Sequence, residues 1–201
     1  MPRELSTLRL EDRFEIQEAL LRYVRGVDRR NWELMRSAYH PDAWDDHGNY
    51  KGPVDGFIKL TIERHRTIEQ SMHVLGNTTI EFAGPDDALV ETYFITHQRL
   101  TPEAGDVRLP YLRGGTIAPD QAVETEVIGR YVDHFARRGG GWRIQHRTVV
   151  FEVWRGQPAP AGGGLRPNWA LSRRDGDDPV EAKRRELGFP PQQGDAAVTP
   201  S

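Results

Sequence analysis

Three side chains of this sequence could do acid–base chemistry together if the fold brings them to one place. Tyr23 and Asp28 lie in the stretch RYVRGVDRR, and His73 lies in QSMHVLGNTTIEF, where a loop runs into a predicted strand. A carboxylate hydrogen-bonded to a histidine fixes the imidazole tautomer and stabilises the imidazolium that forms on proton uptake. Such a histidine is suited to general-base catalysis. A tyrosine hydroxyl in the same pocket can donate a hydrogen bond to a leaving group or a developing oxyanion.

Each of these residues also has a structural interpretation, and the pattern alone leaves both open. His73 can be a satisfied histidine of the core, and Tyr23 belongs to the apolar stripe of a predicted helix. Asp28 can be a solvated carboxylate paired with Arg29 and Arg30, or it can cap the next helix.

The elements that must position these residues are helices first and strands afterwards. Apolar residues recur at helical spacing from Leu10 to Tyr39, with Asn31 as the predicted N-cap of a second, short helix, and a third helix is predicted after Pro53. Strands are predicted at residues 72–82, 88–100, 123–138 and 141–154. Helices that lie on one face of an antiparallel sheet form an α+β fold. If the sheet curls round the first helix, an apolar pocket remains between helix and sheet.

The composition argues against several classes of protein. The chain has 201 residues, a net charge of −3 and no cysteine, which predicts one domain with or without a tail and excludes disulfides and thiolate chemistry. Acidic and basic residues are balanced, so no nucleic-acid partner is expected. Without a signal peptide or a membrane span, a cytoplasmic protein with no membrane partner is expected. Neither H-E-x-x-H nor G-x-G-x-x-G nor a Walker loop occurs, so no metal and no cofactor is expected.

Two segments lie outside the predicted helices and long strands. Residues 101–122 form a long stretch with proline and glycine, which is typical of a lid, an insertion or a functional segment. Residues 1–155 are predicted to form one domain, and residues 156–201 a linker and a C-terminal tail that is partly disordered. Within this tail a short helix is predicted after Pro179, and RRDGDDP is interpreted as a solvated or subunit-contacting arm.

The spacing Y-x-x-x-x-D on the first helix, followed by S-M-H at the first long strand, resembles the SnoaL-like branch of the nuclear-transport-factor-like superfamily. The resemblance covers roughly residues 10–154 and includes GVDRR, YHPDA, YKGP, SMH and YVDHFARRGGGWRI. It implies a cone-shaped, barrel-like, curved antiparallel sheet that wraps around N-terminal helices, with a pocket between helix and sheet. This scaffold supports many activities, and some of its members are not enzymes.

The resemblance also implies a cofactor-independent lyase, with His73 as general base, Asp28 as its orienting partner and Tyr23 as acid or oxyanion donor. In such enzymes the histidine removes a proton from carbon or from a hydroxyl group, and water, chloride or formaldehyde leaves. The implied substrate is a hydrophobic ring compound, such as a steroid, a polyketide or a lignin-derived aromatic. An isomerase or cyclase with the same base is one alternative. A non-catalytic binding or assembly subunit, like the small subunit of a ring-hydroxylating dioxygenase, is the other.

The hairpin WDDHGNYKG and the second long strand supply three candidates for contact with substrate. Trp44 and Tyr50 can face the pocket, although Trp44 can equally be core and Asp45–Asp46 is interpreted as a solvated turn. His97 lies on a strand face that is either a polar pocket wall or an exposed surface.

The last strand supplies two more candidates, His146 and Arg147. Strict alternation places His146 on the same face as Ile144 and Arg147 on the other face. An arginine in the pocket would bind a carboxylate, a phenolate or an oxyanion, whereas one on the outer face could form a subunit contact.

The last strand also predicts an oligomer. Val149, Phe151 and Val153 are expected on the exposed face of the sheet, and a sheet with two apolar faces must be covered on both. A homo-oligomer is therefore expected, and the resemblance implies a dimer or a trimer.

Overall fold

The computed structural model describes residues 8–112, 114–160, 164–166 and 168–190. The elements are, in chain order, α1 (Leu8–Asp28), α2 (Trp32–Ser37), β1 (Tyr39–Asp46), β2 (Lys51–Pro53), α3 (Val54–Arg64), β3 (Ile68–Phe82), β4 (Asp87–Leu100), β5 (Val123–Arg138), β6 (Gly141–Pro158) and α4 (Pro179–Glu186), with 3₁₀ segments at His65–Thr67 and Pro102–Leu112. The predicted disordered end includes residues 191–201, and the predicted linker includes residues 161–163 and 167. These positions lie outside the described residues. Among the described helices, none combines the length and the apolar character needed to cross a membrane.

Six strands form one curved, open sheet in the order β2–β1–β6–β5–β4–β3. Neighbouring strands are antiparallel except β1 and β6, which run parallel. The predicted α+β class is confirmed. The predicted antiparallel sheet is corrected to a mixed one. One edge of β1 pairs with β2 in an antiparallel hairpin, and its other edge pairs with β6 in parallel.

Helix α1 covers the concave face of this sheet with a continuous apolar stripe. Ile16, Leu20, Tyr23, Val24 and Val27 recur at helical spacing and are all buried in one core with residues of the strands. This packing brings the C-terminal end of α1, and Asp28 with it, against the sheet.

Gly26 is the place where α2 crosses α1. A Cβ atom at this position would lie 2.7 Å from Cα of Met35 in α2, so the close approach requires glycine. Asn31 caps α2 as predicted, because its side chain accepts a hydrogen bond of 2.9 Å from the backbone N–H of Leu34. The crossing and the cap together fix the direction in which the chain leaves α1, directly after Asp28.

A β-bulge in β6 reverses the alternation that the sequence predicts. The pairing of β6 with β5 shifts between Ile144 and His146, so that Gln145 is an extra residue in β6. Because of this extra residue, Arg147 shares the buried face with Ile144, and His146 lies exposed on the outer face. The predicted placement of His146 with Ile144 is therefore wrong.

The apolar residues on the outer face of the sheet also differ from those predicted. Val149 is 6% exposed within the core, and Phe151 lies opposite Gly129 on the concave face. Neither residue can contribute to an outer surface. Large exposed apolar side chains do occur on the outer face, but they belong to β3 and β4: Met72, Val74, Leu89, Tyr93 and Ile95.

Residues 101–122, predicted as a long loop, contain a 3₁₀ segment that closes one end of the sheet. Tyr111 of this segment is buried against Trp154, with ring centroids 4.9 Å apart. Arg108 fastens the segment internally, since its guanidinium donates to the backbone carbonyls of Gly105, Pro119 and Gln121. A lid function for these residues stays a prediction.

Replacing Gly26 by alanine should destabilise the fold, because the added methyl group must push α2 away from α1. We expect the free energy of unfolding, measured in urea, to fall by about 1–3 kcal/mol, the usual cost of overpacking. Gly84→Ala is the matched control, since a Cβ atom there would meet no other atom within 4 Å. Equal stability of Gly26→Ala and the wild type would contradict the close helix crossing.

Candidate functional site

The side chains of Asp28, at the end of α1, and His73, in β3, form a hydrogen-bonded pair. Nδ1 of His73 lies 2.7 Å from Oδ1 of Asp28. The His73 side chain is 7% exposed and the Asp28 side chain 12%, so the pair is largely shielded from bulk water. The fold thus brings together two of the three residues that were expected to act as one unit.

Both carboxylate oxygens of Asp28 are held by β3. Oδ1 also accepts a hydrogen bond from the hydroxyl of Ser71, and Oδ2 accepts one from the backbone N–H of His73, both at 2.8 Å. The structural interpretations of Asp28 do not apply. Helix α2 is capped by Asn31, and Arg29 donates to the backbone carbonyl of Asp28 instead of its carboxylate.

The hydrogen bond to Asp28 determines the tautomer of His73. Because the carboxylate can only accept, Nδ1 carries the proton and Nε2 keeps a free lone pair. Within the described residues, no hydrogen bond to Nε2 is found. His73 can therefore take up a proton at Nε2 while Asp28 stabilises the positive charge that results.

The pKa of Asp28 lies below its ordinary value of 3.8 although the carboxyl group is buried. Burial alone raises this pKa, since it disfavours the charged form. The proximity of His73, the hydrogen bonds from its ring and backbone, and the hydrogen bond from Ser71 lower the pKa and outweigh burial. Asp28 is therefore a carboxylate at neutral pH, as the orienting partner of a histidine must be.

The strand register places His73 in a row of residues that crosses the concave face. His73 lies opposite Thr96, which lies opposite Val127, which in turn lies opposite Trp154. Phe151 packs beside Trp154, with ring centroids 5.7 Å apart, and is 37% exposed. The surface that extends from His73 is therefore mainly apolar and aromatic, which suits a hydrophobic ring.

Tyr23 lies in an aromatic cluster around the guanidinium of Arg147. It is 2% exposed, its ring is 4.3 Å from Cζ of Arg147, and it meets the rings of Tyr39 and Tyr131 edge-on. Burial raises the pKa of Tyr23 well above its ordinary value, so the hydroxyl stays protonated. No hydrogen bond to Asp28 or to His73 is found in the described part of the chain, and the role of Tyr23 in catalysis stays a prediction.

Arg147, which was predicted to contact substrate, is enclosed by protein. Its side chain is 0% exposed and donates two hydrogen bonds, of 2.8 and 2.6 Å, to the carboxylate of Asp133. Substrate has no access to Arg147 in this arrangement. The prediction is corrected to an internal ion pair, which the β-bulge at Gln145 turns into the core.

Three of the other predicted contact residues, Trp44, His97 and His146, do not share a surface with His73. Trp44 and His146 lie opposite each other in the pairing of β1 with β6, and both face the outside, as His97 does on β4. Their predicted contact with substrate beside His73 is contradicted, because alternation along each strand turns them away from the concave face. Tyr50 donates a hydrogen bond of 2.6 Å to the carbonyl of Pro53 and holds the β1–β2 hairpin against α3.

A second histidine–aspartate pair, which was not predicted, borders the concave face. Nδ1 of His47 lies 3.0 Å from Oδ1 of Asp45, whose side chain is fully buried. The His47 ring stacks on Phe57 at 4.5 Å and meets the edge of Phe151 at 6.3 Å. Alternation with the buried Ala43 could have indicated that Asp45 points inward and is not part of a solvated turn. Among the described residues, no group of three or more His, Cys, Asp or Glu side chains could hold a metal ion.

His65 is a buried, neutral histidine in the turn between α3 and β3. Its Nδ1 lies 2.6 Å from Nη2 of Arg174, and its ring meets Trp32 edge-on. Since a guanidinium can only donate, Nδ1 of His65 must accept. Burial lowers the pKa of His65 well below its ordinary value of 6.5, and nearby positive charges, first that of Arg174 and then that of Arg64, lower it further.

The lowered pKa of His65 predicts a loss of stability at mildly acidic pH. Below about pH 6.5 the unfolded chain binds a proton at this histidine and the folded protein does not, so the free energy of unfolding falls as the pH decreases. His65→Asn keeps an acceptor but cannot be protonated. Between about pH 6.5 and 5, the wild type should lose up to about 1 kcal/mol per pH unit relative to this variant in urea unfolding. The same pH dependence in both proteins would contradict a buried neutral His65.

Comparisons with solved structures place this geometry in a known fold. A proposed scytalone dehydratase from Novosphingobium aromaticivorans DSM 12444 is 17% identical with a TM-score of 0.57, over 73% of this chain and 87% of the other. A hexachlorocyclohexane dehydrochlorinase, LinA-type3, from Novosphingobium barchaimii LL02 is 19% identical with a TM-score of 0.58, over 79% and 97%. The beta subunit of a proposed aromatic-ring-hydroxylating dioxygenase from Novosphingobium aromaticivorans DSM 12444 is 16% identical with a TM-score of 0.50, over 74% and 94%. At these identities the likeness shows the fold alone.

The sequence itself matches one family of domains. No curated protein matches the chain. The model of the SnoaL-like domain matches residues 8–148, which include α1, the Asp28–His73 pair and most of the sheet. The chain therefore belongs to the SnoaL-like domain family.

Proposed function

We propose that this protein is a cofactor-independent lyase that eliminates a small group from a hydrophobic ring substrate, with the Asp28–His73 pair as its base. The observation that carries the proposal is the 2.7 Å contact between Nδ1 of His73 and a largely buried carboxylate, which leaves Nε2 free to accept a proton. The folds shared with a proposed scytalone dehydratase and a dehydrochlorinase support an elimination. A subunit that only binds or assembles does not need such a pair.

The proposed reaction begins with proton transfer from substrate to His73. Nε2 takes a proton from a carbon or from a hydroxyl group, and the electrons of the broken bond form a double bond as the leaving group departs from the neighbouring carbon with its own bonding pair. Asp28 stabilises the imidazolium during this step. Transfer of the proton to the leaving group or to water restores the base. A base positioned in this way contributes about 10²–10⁴-fold to the rate.

The leaving group also needs a proton donor, and His47 meets this need better than Tyr23. Tyr23, the donor implied by the family resemblance, is 2% exposed and surrounded by other rings. The His47 side chain is 24% exposed, is oriented by the carboxylate of Asp45, and touches the exposed ring of Phe151. With its Nδ1 proton directed at the carboxylate, His47 can donate from Nε2 to a group on the aromatic surface when its ring is the imidazolium, which the carboxylate of Asp45 stabilises.

Two other functions fit the family and are alternatives to elimination. An isomerase or cyclase would use the same base but return the proton to the substrate. A binding or assembly subunit is the other alternative, because the beta subunit of a proposed dioxygenase shares the fold. The chemistry at Nε2 of His73 distinguishes the enzymes from the subunit.

A homo-oligomer, as a dimer or trimer, is part of the proposal. The exposed apolar side chains of β3 and β4, together with Val153 of β6, which lies opposite Ile128 on the outer face as predicted, supply a surface for subunit contact, whereas Val149 and Phe151 do not. Cytoplasmic location stays a prediction.

The base is tested with a panel of ring-containing alcohols and hydroxy ketones in D₂O. Mass spectrometry detects both the loss of a small group and the incorporation of deuterium after reversible proton abstraction. We expect the wild type to act on at least one compound, and His73→Ala to be slower by about 10²–10⁴-fold because the base is lost. Asp28→Asn should also be slow, since an amide cannot stabilise the imidazolium.

The matched control for the base is His134→Ala. His134 also contacts an aspartate, with its Nε2 2.7 Å from Asp87, but both side chains are exposed at the outer surface. This variant should keep wild-type activity. Full activity of His73→Ala would exclude the proposed base. Binding of panel compounds without any turnover or exchange by the wild type would favour the binding subunit.

The donor is tested on the compound that the wild type converts most rapidly. His47→Gln should slow the elimination of a poor leaving group such as water by at least about tenfold, while deuterium exchange at the carbon stays near the wild-type rate. Tyr23→Phe should affect both rates little. The opposite pattern, with elimination lost in Tyr23→Phe and kept in His47→Gln, would restore Tyr23 as the donor.

A further inference from the structure

The chain continues beyond the part matched by the family, and residues 173–186, here named the C-terminal arm, return to the end of α1. Asp178, which caps α4, lies 3.6 Å from the guanidinium of Arg29, and Glu181 lies 3.3 Å from that of Arg25. The interpretation of RRDGDDP as a solvated or subunit-contacting arm is therefore corrected for Arg174 and Asp178, which are buried against the end of α1. Asp175 and Asp177, by contrast, are exposed and pair with Arg173.

Arg174 is the residue by which the C-terminal arm reaches the candidate site. It is only 8% exposed. Its Nε donates to the backbone carbonyl of Asp28 at 2.8 Å, its Nη2 donates to that of Val27 at 2.8 Å, and its Nη1 donates to that of Ile68 at 2.6 Å. Nη2 also contacts Nδ1 of His65 at 2.6 Å.

These contacts join the two elements that carry the pair. Val27 and Asp28 are the last residues of α1, where helix carbonyls have no partner within the helix. A positive charge is also favourable at this end of a helix dipole. Ile68 is the first residue of β3, the strand that carries His73. One planar guanidinium, with donors in fixed directions, thus bridges the end of α1 and the start of β3, where Nη2 of Arg30 also donates to the carbonyl of Ile68, at 3.0 Å.

We propose that Arg174 is a positioning residue for the Asp28–His73 pair. By holding the backbone of Asp28 and of Ile68, it sets the separation between carboxylate and imidazole, and it does so from a segment outside the family match. Its importance for activity rests on the proposed role of His73 as the base. Its effect on the geometry of the pair does not depend on that role.

The experiment compares Arg174→Met with Arg173→Met in the full chain. Arg173 is the matched control, since its guanidinium is exposed and pairs with Asp175. The first readout is the low-field proton resonance of His73 Nδ1–H, identified by its absence in His73→Ala. In Arg174→Met we expect this proton to exchange with water about tenfold to a hundredfold faster. This factor corresponds to the free energy lost with one hydrogen bond that involves a charged group. Arg173→Met should leave its exchange rate unchanged.

The second readout is turnover of the best panel compound, for which Arg174→Met should lower kcat with little change in KM. If the wild type has no activity, the proposed function fails, and the resonance alone still decides the role of Arg174. Wild-type exchange in a folded Arg174→Met protein would overturn the inference. If this variant does not fold, Asp178→Ala combined with Glu181→Ala loosens the C-terminal arm and leaves Arg174 in place. Faster exchange in the double variant supports the inference, and unchanged exchange overturns it.

Discussion

The carboxylate of Asp28 is a charge held away from water, and the site depends on the way in which the fold stabilises it. A buried charge is tolerated only when it is paired and hydrogen-bonded. At Asp28 the donors are the ring and the backbone N–H of His73 and the hydroxyl of Ser71, and all three belong to β3. If the end of α1 and the start of β3 moved apart, this carboxylate would therefore be exposed to water or would lose its hydrogen-bond donors. The constraint that stabilises Asp28 is also the one that orients His73.

The interior of the protein is divided between polar and apolar surfaces. A buried network links the Arg147–Asp133 ion pair to the hydroxyl of Tyr39, which donates to Asp45, the partner of His47. The row from His73 to Trp154 is mainly apolar and ends beside an exposed phenylalanine. An apolar ring placed on this row would have one histidine–aspartate pair at one margin and the second pair near the other. This arrangement is consistent with the transfer of one proton from substrate and another to the leaving group.

The fold class and the convergence of Asp28 and His73 were predictable from the sequence. The faces on which side chains lie were not predictable where the strand register is irregular. Hydrophobic spacing was sufficient for α1 and the long strands, and the motif order of the family linked Asp28 with His73. Alternation failed at Arg147, because a single extra residue at Gln145 reverses the faces of β6 and is not visible in the hydrophobic pattern. Asp45 was missed because a charged residue beside a turn suggests solvent, although its strand pairing buries it. The contact of Arg174 joins residues 146 positions apart in the chain, and nothing in its local sequence indicates the carbonyls that it binds.

The largely buried carboxylate of Asp28 holds the uncharged ring of His73 in one tautomer, with Nε2 free. Nitrogen NMR of the His73 ring at neutral pH tests it directly, because protonated and unprotonated ring nitrogens have separate resonances. On the uncharged ring the proton is expected on Nδ1 and not on Nε2, and this tautomer is expected to be lost in Asp28→Asn. A proton on Nε2 of the uncharged ring, or averaged signals from two rapidly exchanging tautomers in the wild type, would contradict it.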